Sequence, residues 1–371
     1  MLNDKMNILV LGVSGAGKST LIKAISGLEV VTGVGNARTK KIDVFESKTW
    51  PIRCIDTKGF EYSFIEQLKT ISQVKKYSKK NNNEGIDAVW YCIEGTSRRT
   101  FEHNIKLMNS AIKGWKNIPV FVVITKSYSE PDIEKNIEAI KEVFSKYKKI
   151  NLKGIIPVVA EEYNINEETT VAPTGIDELC LKTLECFEEA KSINKENRER
   201  MIIEQRRFTA NGTTGVAAAS AVIVGAVPIP FADSVILVPL EVGLTKRIFK
   251  IYKIDYNNKL IMEIVGSTVI TSVAKGIITA IPIAGPVVNG AVAGVIVFAL
   301  GEAVTVASEL IVKGKLDTDK VDEVSKFIGE KVKSNPIIGE VNEYFEKNKD
   351  NIKNKKPEEI FEDLKKSFNK K

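Results

Sequence analysis

The sequence predicts an α/β fold: a mostly parallel, doubly wound sheet domain, followed by an all-α helical-hairpin domain and a charged helical tail. Three observations predict it. Short apolar runs rich in Val and Ile alternate with helical stretches through the first 190 residues, the pattern of a parallel sheet covered on both faces. From 208 to 312 only twelve of 105 residues are charged, about 11% against 27% for the chain, so this stretch is buried, lipid-facing or both. The remainder, 313–371, carries 15 Lys and 13 acidic residues, a dense but nearly balanced charge. The expected organisation is a sheet domain at 1–190, a linker helix at 191–207, an apolar helical-hairpin domain at 208–312 and the tail at 313–371.

Length and composition narrow the function classes. With 371 residues and 43% hydrophobic positions the chain holds roughly two domains, and global disorder is excluded. The four cysteines, Cys54, Cys92, Cys180 and Cys186, have no CxxC spacing and there is one histidine, His103. Neither a zinc site of the usual kind nor a disulfide framework follows. The start, MLNDKMNILVLG, lacks the apolar core of a signal peptide, so the expected location is cytoplasmic. A net charge of +7 is small for this length, and no GXXG loop, aromatic stacking face or basic stripe appears after residue 190. Nucleic acid is not an expected partner.

The first strand, MNILVL at 6–11, runs into GVSGAGKST at 12–20 and then LIKAIS at helical spacing. This is strand, glycine loop and helix, with G-x-x-x-x-G-K-S on Gly12, Gly17, Lys18 and Ser19. Glycines let successive amides curl around a phosphate, and the helix start adds its positive end. Gly12, Ser14, Gly15, Ala16, Gly17, Lys18, Ser19 and Thr20 are the expected cradle, with Lys18 on the β- and γ-phosphates and Ser19 on Mg2+. A second strand ends in CIDTKGF, where Asp56 and Gly59 form D-x-x-G: the carboxylate suits Mg2+ through water and the glycine amide suits a third phosphate. Between the motifs, Thr39 precedes an alternating strand at 41–45 and is the expected third Mg2+ ligand, with Thr32 a less well-placed rival. Lys18, Thr39 and Gly59 form the expected catalytic set. Further strands are expected at 86–93, 118–125 and 154–160, with a helix at 132–149.

GVSGAGKS, Thr39, DTKG and the ITKS that ends at Ser127 resemble the motifs of translation-factor-related, Era-like GTPases. The segment WYCIEGTSRRTFE and the apolar block that follows make the chain similar, more narrowly, to bacterial G proteins fused to a helical-hairpin domain. The resemblance implies a P-loop G domain that binds GTP with Mg2+ and hydrolyses it to GDP with a conformational switch. It also implies base contacts from Thr125, Lys126 and the backbone near Val159, Ala160 and Glu161. The sequence departs from the family at three points. Tyr128 stands where an aspartate reads guanine, with Glu130 and Asp132 as nearby substitutes, so guanine against adenine stays open. Phe60 stands where many relatives orient water with glutamine, which implies slow hydrolysis that needs an outside group; Arg98 and Arg99, acting across a homodimer, are candidates beside their plain reading as surface residues. Gly15 stands where potassium-activated relatives carry asparagine.

The apolar block is read two ways. Pro228 and Pro230 limit its first helix to 213–227, and Pro282, Gly285 and Pro286 limit its second to 287–300, each shorter than the roughly 20 residues a bilayer needs. Helix, proline turn and helix, twice over, make a four-helix unit. Its Gly, Ala, Val and Ile suit close packing in lipid and in a tight soluble bundle alike, so a membrane surface and a protein partner both stand. A nucleotide switch, a P-loop ATPase on a similar framework and a nucleotide-insensitive scaffold are the three functions compatible with the sequence.

Overall fold

A computed structural model describes residues 5–27, 43–47, 49–56, 86–96, 101–112, 118–147, 150–165, 170–186, 195–226, 237–266, 285–348, 352 and 355–368. Thr32, Thr39, Gly59, Phe60, Arg98 and Arg99 lie outside them, as do Pro228, Pro230 and Pro282. The chain divides into two compact units, Met1–Gln205 and Arg206–Lys371, and the expected linker at 191–207 straddles that division.

In the first unit, strands β1 (Met6–Leu11), β2 (Asp43–Glu46), β3 (Ile52–Asp56), β4 (Ala88–Glu94), β5 (Val120–Thr125) and β6 (Leu152–Pro157) form one sheet in the order β2-β3-β1-β4-β5-β6. All neighbours are parallel except β2, which pairs antiparallel with β3 at the edge. The helices are α1 (Lys18–Ser26), α2 (Phe101–Ala111), α3 (Glu130–Ser145) and α4 (Ile176–Leu184). Successive residues of β1 explain why the strands read as unbroken apolar runs. Ile8 and Val10 join a core with Leu21 and Ile25 of α1 and Leu179 of α4, while Leu9 and Leu11 join another with Ile105 of α2 and Ile140 of α3. Both faces are covered, so neither set of side chains can be polar. Trp90, buried in mid-sheet, donates its Nε1–H to Thr183 Oγ1 at 2.9 Å. The doubly wound sheet domain is therefore present, with the expected helix at 132–149 running from Glu130 to Ser145 instead.

The helix α5 (Lys195–Gly225) has 31 residues, so the expected linker helix and first hairpin helix are one element, counted to the first unit through Gln205 and to the second from Arg206. The second unit continues with α6 (Leu237–Tyr252), α7 (Asn258–Val265), α8 (Pro286–Val312), α9 (Val321–Lys333), α10 (Pro336–Lys347) and α11 (Pro357–Phe368). The expected 14-residue limit at 287–300 is wrong: α8 starts at Pro286, a favoured first helical position, and runs 27 residues, about 40 Å. Its two glutamates do not end it because each is partnered. Glu302 accepts from Asn335 Nδ2 at 2.8 Å, and Glu309 accepts from Arg207 Nε at 2.6 Å and from the Tyr252 hydroxyl at 3.2 Å.

Within the second unit α5 and α8 run antiparallel, with Val222 against Gly294, Thr214 against Gly301 and Arg207 against Glu309. Their approach depends on missing side chains: a Cβ on Gly294 would lie 2.4 Å from Val222 Cγ2, and one on Gly301 2.3 Å from Thr214 Oγ1. The tail is not an appendage. Val324, Ile328 and Val332 of α9 and Ile360, Phe361 and Leu364 of α11 are buried, and both helices pack on α8. Among the described residues α8 is the one helix long and apolar enough to cross a membrane, yet 67% of its apolar window is buried by protein.

Two outcomes follow for urea unfolding. Gly301→Ala forces apart two helices whose backbones cannot yield locally, because Thr214 Cβ itself would stand 2.9 Å from the new methyl; the expected loss is about 1–3 kcal/mol. Glu241 of α6 is 6% exposed, and burial pushes its carboxyl up to about 7. The folded chain thus holds this proton more tightly than an unfolded one, whose glutamates titrate near 4.3, so stability falls as pH rises from about 4.5 and the loss is complete above about 7. Glu241→Gln is expected to remove that slope and to stabilise the second unit by roughly 3 kcal/mol at pH 8, with little change at pH 4.5.

Candidate phosphate-binding site

Between Leu11 and Lys18 the backbone turns through conformations that side chains resist. Gly12, Gly15 and Gly17 have φ of 149°, 81° and 77°. A Cβ on Gly12 would also lie 2.5 Å from the Cys92 carbonyl, so the loop leaves the sheet flush against β4. Ser14 and Gly15 are exposed at its tip, Ala16 is buried, and Gly17, Ser19 and Thr20 are half-buried. The Ala16 amide donates to Val13 O at 3.2 Å, which closes the turn. Gly17 caps α1 without a side-chain hydrogen bond, and no acidic residue lies in the first turn, so the positive end of that helix is not neutralised from within.

Lys18 is 7% exposed, and its Nζ donates to Gly12 O at 3.2 Å and Val13 O at 3.0 Å. Carbonyl oxygens thus hold the ammonium within the loop. The loop is in turn held from β5: Thr125 is 2% exposed, with Oγ1 2.9 Å from Ala16 O and 3.2 Å from Ile93 O. Asp56 is the last residue of β3, beside Val10 in parallel register, and Ser19 is the second residue of α1. The expected donors thus emerge at the carboxyl edge of the sheet, where ligands of doubly wound folds bind. Among the described residues no three His, Cys, Asp or Glu side chains cluster as a metal cage.

Lys126 has the left-handed backbone, φ 54°, that costs a non-glycine residue roughly 1–2 kcal/mol. Its Nζ meets Glu94 Oε1 at 2.9 Å, and Thr96 Oγ1 donates to the same oxygen at 2.7 Å. Burial pushes the Glu94 carboxyl up, but these hydrogen bonds and the lysine charge outweigh it and hold the group below its ordinary range. Ser127 N donates to Val158 O at 3.4 Å, so the loops after β5 and β6, with Lys126 on one and Ala160 on the other, are joined. Tyr128 lies flat on Tyr163 of a short hairpin, β7 (Tyr163–Asn164) and β8 (Thr170–Val171), with ring centroids 3.8 Å apart and planes at 8°. Glu130 and Asp132 stand exposed on the first turn of α3. His103 is exposed on α2, and Cys54 and Cys92 are buried, the Cys92 thiol pushed up to about 12 by burial.

The sequence reading did not include Glu94, Thr96 or Tyr163. Glu94 carried a signal: it is the charged residue that ends an otherwise apolar strand, and it pairs in register with Thr125. Tyr163 carried none, because a hairpin with two residues per strand has no readable period.

A family model described as 50S ribosome-binding GTPase matches residues 7–126. No curated protein matches the chain. Among solved structures, a probable GTP-binding protein engB is 20% identical at a TM-score of 0.36, covering 49% of this chain and 99% of that one. A GTP-binding protein from the hyperthermophilic archaeon Sulfolobus solfataricus, in complex with GDP, is 18% identical at 0.31, covering 42% of this chain and 47% of that one. A dimerization-deficient mutant of Toc33 from Arabidopsis thaliana is 15% identical at 0.33, covering 49% and 83%. The glycine loop between β1 and α1, the strand order and the match over 7–126 to a GTPase family model together give the first unit the fold of a P-loop G domain.

Proposed function

We propose that the first unit binds GTP with Mg2+ and hydrolyses it slowly to GDP and phosphate, and that the bound nucleotide governs how the helical unit meets a partner. One observation carries the nucleotide reading: the Lys18 ammonium is drawn into a loop of three glycines at the uncapped start of α1. A cation, a positive helix end and a glycine loop in one place suit a polyphosphate. In this reading Gly12, Ser14, Gly15, Ala16 and Gly17 wrap the phosphates, Lys18 draws charge from the β- and γ-oxygens, Thr20 extends the cradle, and Thr125, Lys126 and Ala160 border the base.

The residues present fit Mg2+. The Ser19 hydroxyl and Asp56 carboxylate are hard oxygen donors, and Mg2+ takes one or two such protein ligands with phosphate and water completing its shell. When bound, the ion neutralises the charge that develops as water attacks the γ-phosphorus and the bond to the β-phosphate breaks. Thr39 is assigned to Mg2+ when the third phosphate is present and the Gly59 amide to that phosphate, which makes these two positions the switch. Phe60 cannot orient a water molecule, so hydrolysis awaits an outside group, for which Arg98 or Arg99 of a second copy is our candidate.

For the helical unit we propose a lipid surface or protein partner in the cytoplasm. This reading is supported by Val216 and Ile223 on α5, 55% and 61% exposed in a stretch, 208–232, without a single charge. Isothermal titration tests the first part: Mg2+-dependent GTP binding is expected, with Lys18→Ala weakening it at least about hundredfold and Ser19→Ala removing its Mg2+ dependence. No binding by the wild-type chain sinks the switch and leaves the scaffold reading. Liposome flotation tests the second part: GTP-dependent flotation that is lost in a V216D/I223D double variant supports lipid, and flotation in neither nucleotide state removes it.

A further inference from the structure

The tyrosine stack after β5 has no structural need that explains it. Tyr163 is 43% exposed and Tyr128 is half-buried, so the pair seals no core. Among the described residues, the hairpin that presents Tyr163 pairs Tyr163 with Val171 and Asn164 with Thr170. Its position is tied to the phosphate loop. Thr125 bonds the loop at Ala16, and Tyr128 follows three residues later, so the two α-carbons lie within about 11 Å and one nucleotide spans both features.

One carboxylate beside this loop is already engaged. Glu94 Oε1 accepts from both Lys126 Nζ at 2.9 Å and Thr96 Oγ1 at 2.7 Å, which leaves it poorly placed to accept from a purine edge as well. An aromatic face discriminates little, because every base presents a π-face to stack on it. A phenol hydroxyl discriminates little either: it rotates to donate to a ring carbonyl or to accept from an exocyclic amine. Burial, the Tyr163 ring and the Glu161 and Glu94 carboxylates push the Tyr128 phenol up, so that hydroxyl keeps its proton.

We infer that the stacked Tyr128 and Tyr163 are the nucleobase platform of this site, holding a purine by its face instead of reading its edge with a carboxylate, so that ATP and GTP bind comparably. The inference rests on the phosphate site proposed above. It is tested by calorimetric titration of the full chain with the Mg2+ complexes of GTP, ATP and inorganic tripolyphosphate, for the wild type and for Tyr128→Ala, Tyr128→Phe and Tyr163→Ala. The wild type is expected to bind GTP and ATP within about tenfold of each other. Tyr128→Ala and Tyr163→Ala are expected to weaken both nucleotides roughly 5- to 150-fold and to leave tripolyphosphate unchanged, while Tyr128→Phe keeps most of the affinity. Unchanged tripolyphosphate binding also certifies that the variants are folded. A preference for GTP beyond hundredfold, or nucleotide affinities untouched in both alanine variants, overturns the platform while leaving the phosphate site standing. Failure of the wild type to bind even tripolyphosphate overturns both.

Discussion

The candidate site depends on one buried hydroxyl. Thr125 Oγ1 of β5 lies within hydrogen-bond reach of Ala16 O in the glycine loop and Ile93 O near the end of β4, and its one proton serves either carbonyl, the nearer being that of the loop. A glycine loop alone has more conformations than any other stretch and gains nothing by being folded in advance of its ligand. Fastened to a neighbouring strand, it becomes part of the sheet. The same contact explains the absent side chain at Gly17, where a Cβ would press on Thr125 Cβ at 3.2 Å. Gly95 continues the arrangement: its amide donates to Thr125 O at 2.8 Å, and its carbonyl accepts from Asn136 Nδ2 at 2.8 Å. Phosphate loop, strand ends and α3 are thus held as one rigid edge.

The second unit solves a different problem. A long helix of small, mostly apolar residues offers little area to a soluble core, and in water it needs partners on every side. α5 approaches on the glycine face of α8, and the amphipathic α9 and α11 cover other faces with Val, Ile, Leu and Phe. The large side chains missing from the apolar block are supplied by the segment that reads, by composition, as a solvated tail. Charge density averages over a helix: Val324, Ile328 and Val332 are spaced at four residues on one face while the lysines and acids between them face water. The Arg207, Glu309 and Tyr252 cluster then allows a carboxylate deep in an otherwise apolar helix, since a buried charge is tolerated when it is paired and hydrogen-bonded.

These two units differ in how legible they were. The sheet could be read because strands buried on both faces must be apolar throughout, and because the glycine loop has a fixed length and fixed residue types. Gly12, Gly17 and Lys18 fall where the motif places them, with the left-handed or extended glycine backbone the turn requires. The helix ends of the second unit could not be read from prolines and length alone. Pro286 reads as a break but is a start, and Glu302 and Glu309 end a helix only if unpartnered; their partners, Asn335 and Arg207, lie 33 and 102 residues away in sequence. Tertiary pairing of this kind leaves no local trace.

The same distinction governs the residues around the base. The sequence identifies Lys126 by its place in a motif, but its behaviour is set by Glu94, 32 residues earlier and adjacent only because β4 and β5 pair in register through Glu94 and Thr125. That pairing has a consequence for Lys126 itself. A lysine free to lie along a base would gain from any backbone that extends it; here the left-handed turn at φ 54° is stabilised by the ion pair it permits and by the Tyr128 amide donating to Lys126 O at 2.9 Å. After the turn the Tyr128 ring lies on the Tyr163 ring of the hairpin, where an aromatic finds a partner. An aspartate at 128 would have faced a phenol ring and the carboxylates of Glu94 and Glu161, whose influence on Tyr128 is already felt. Tyrosine at that position is therefore matched to its surroundings, and the departure from the family motif belongs to a locally consistent structure.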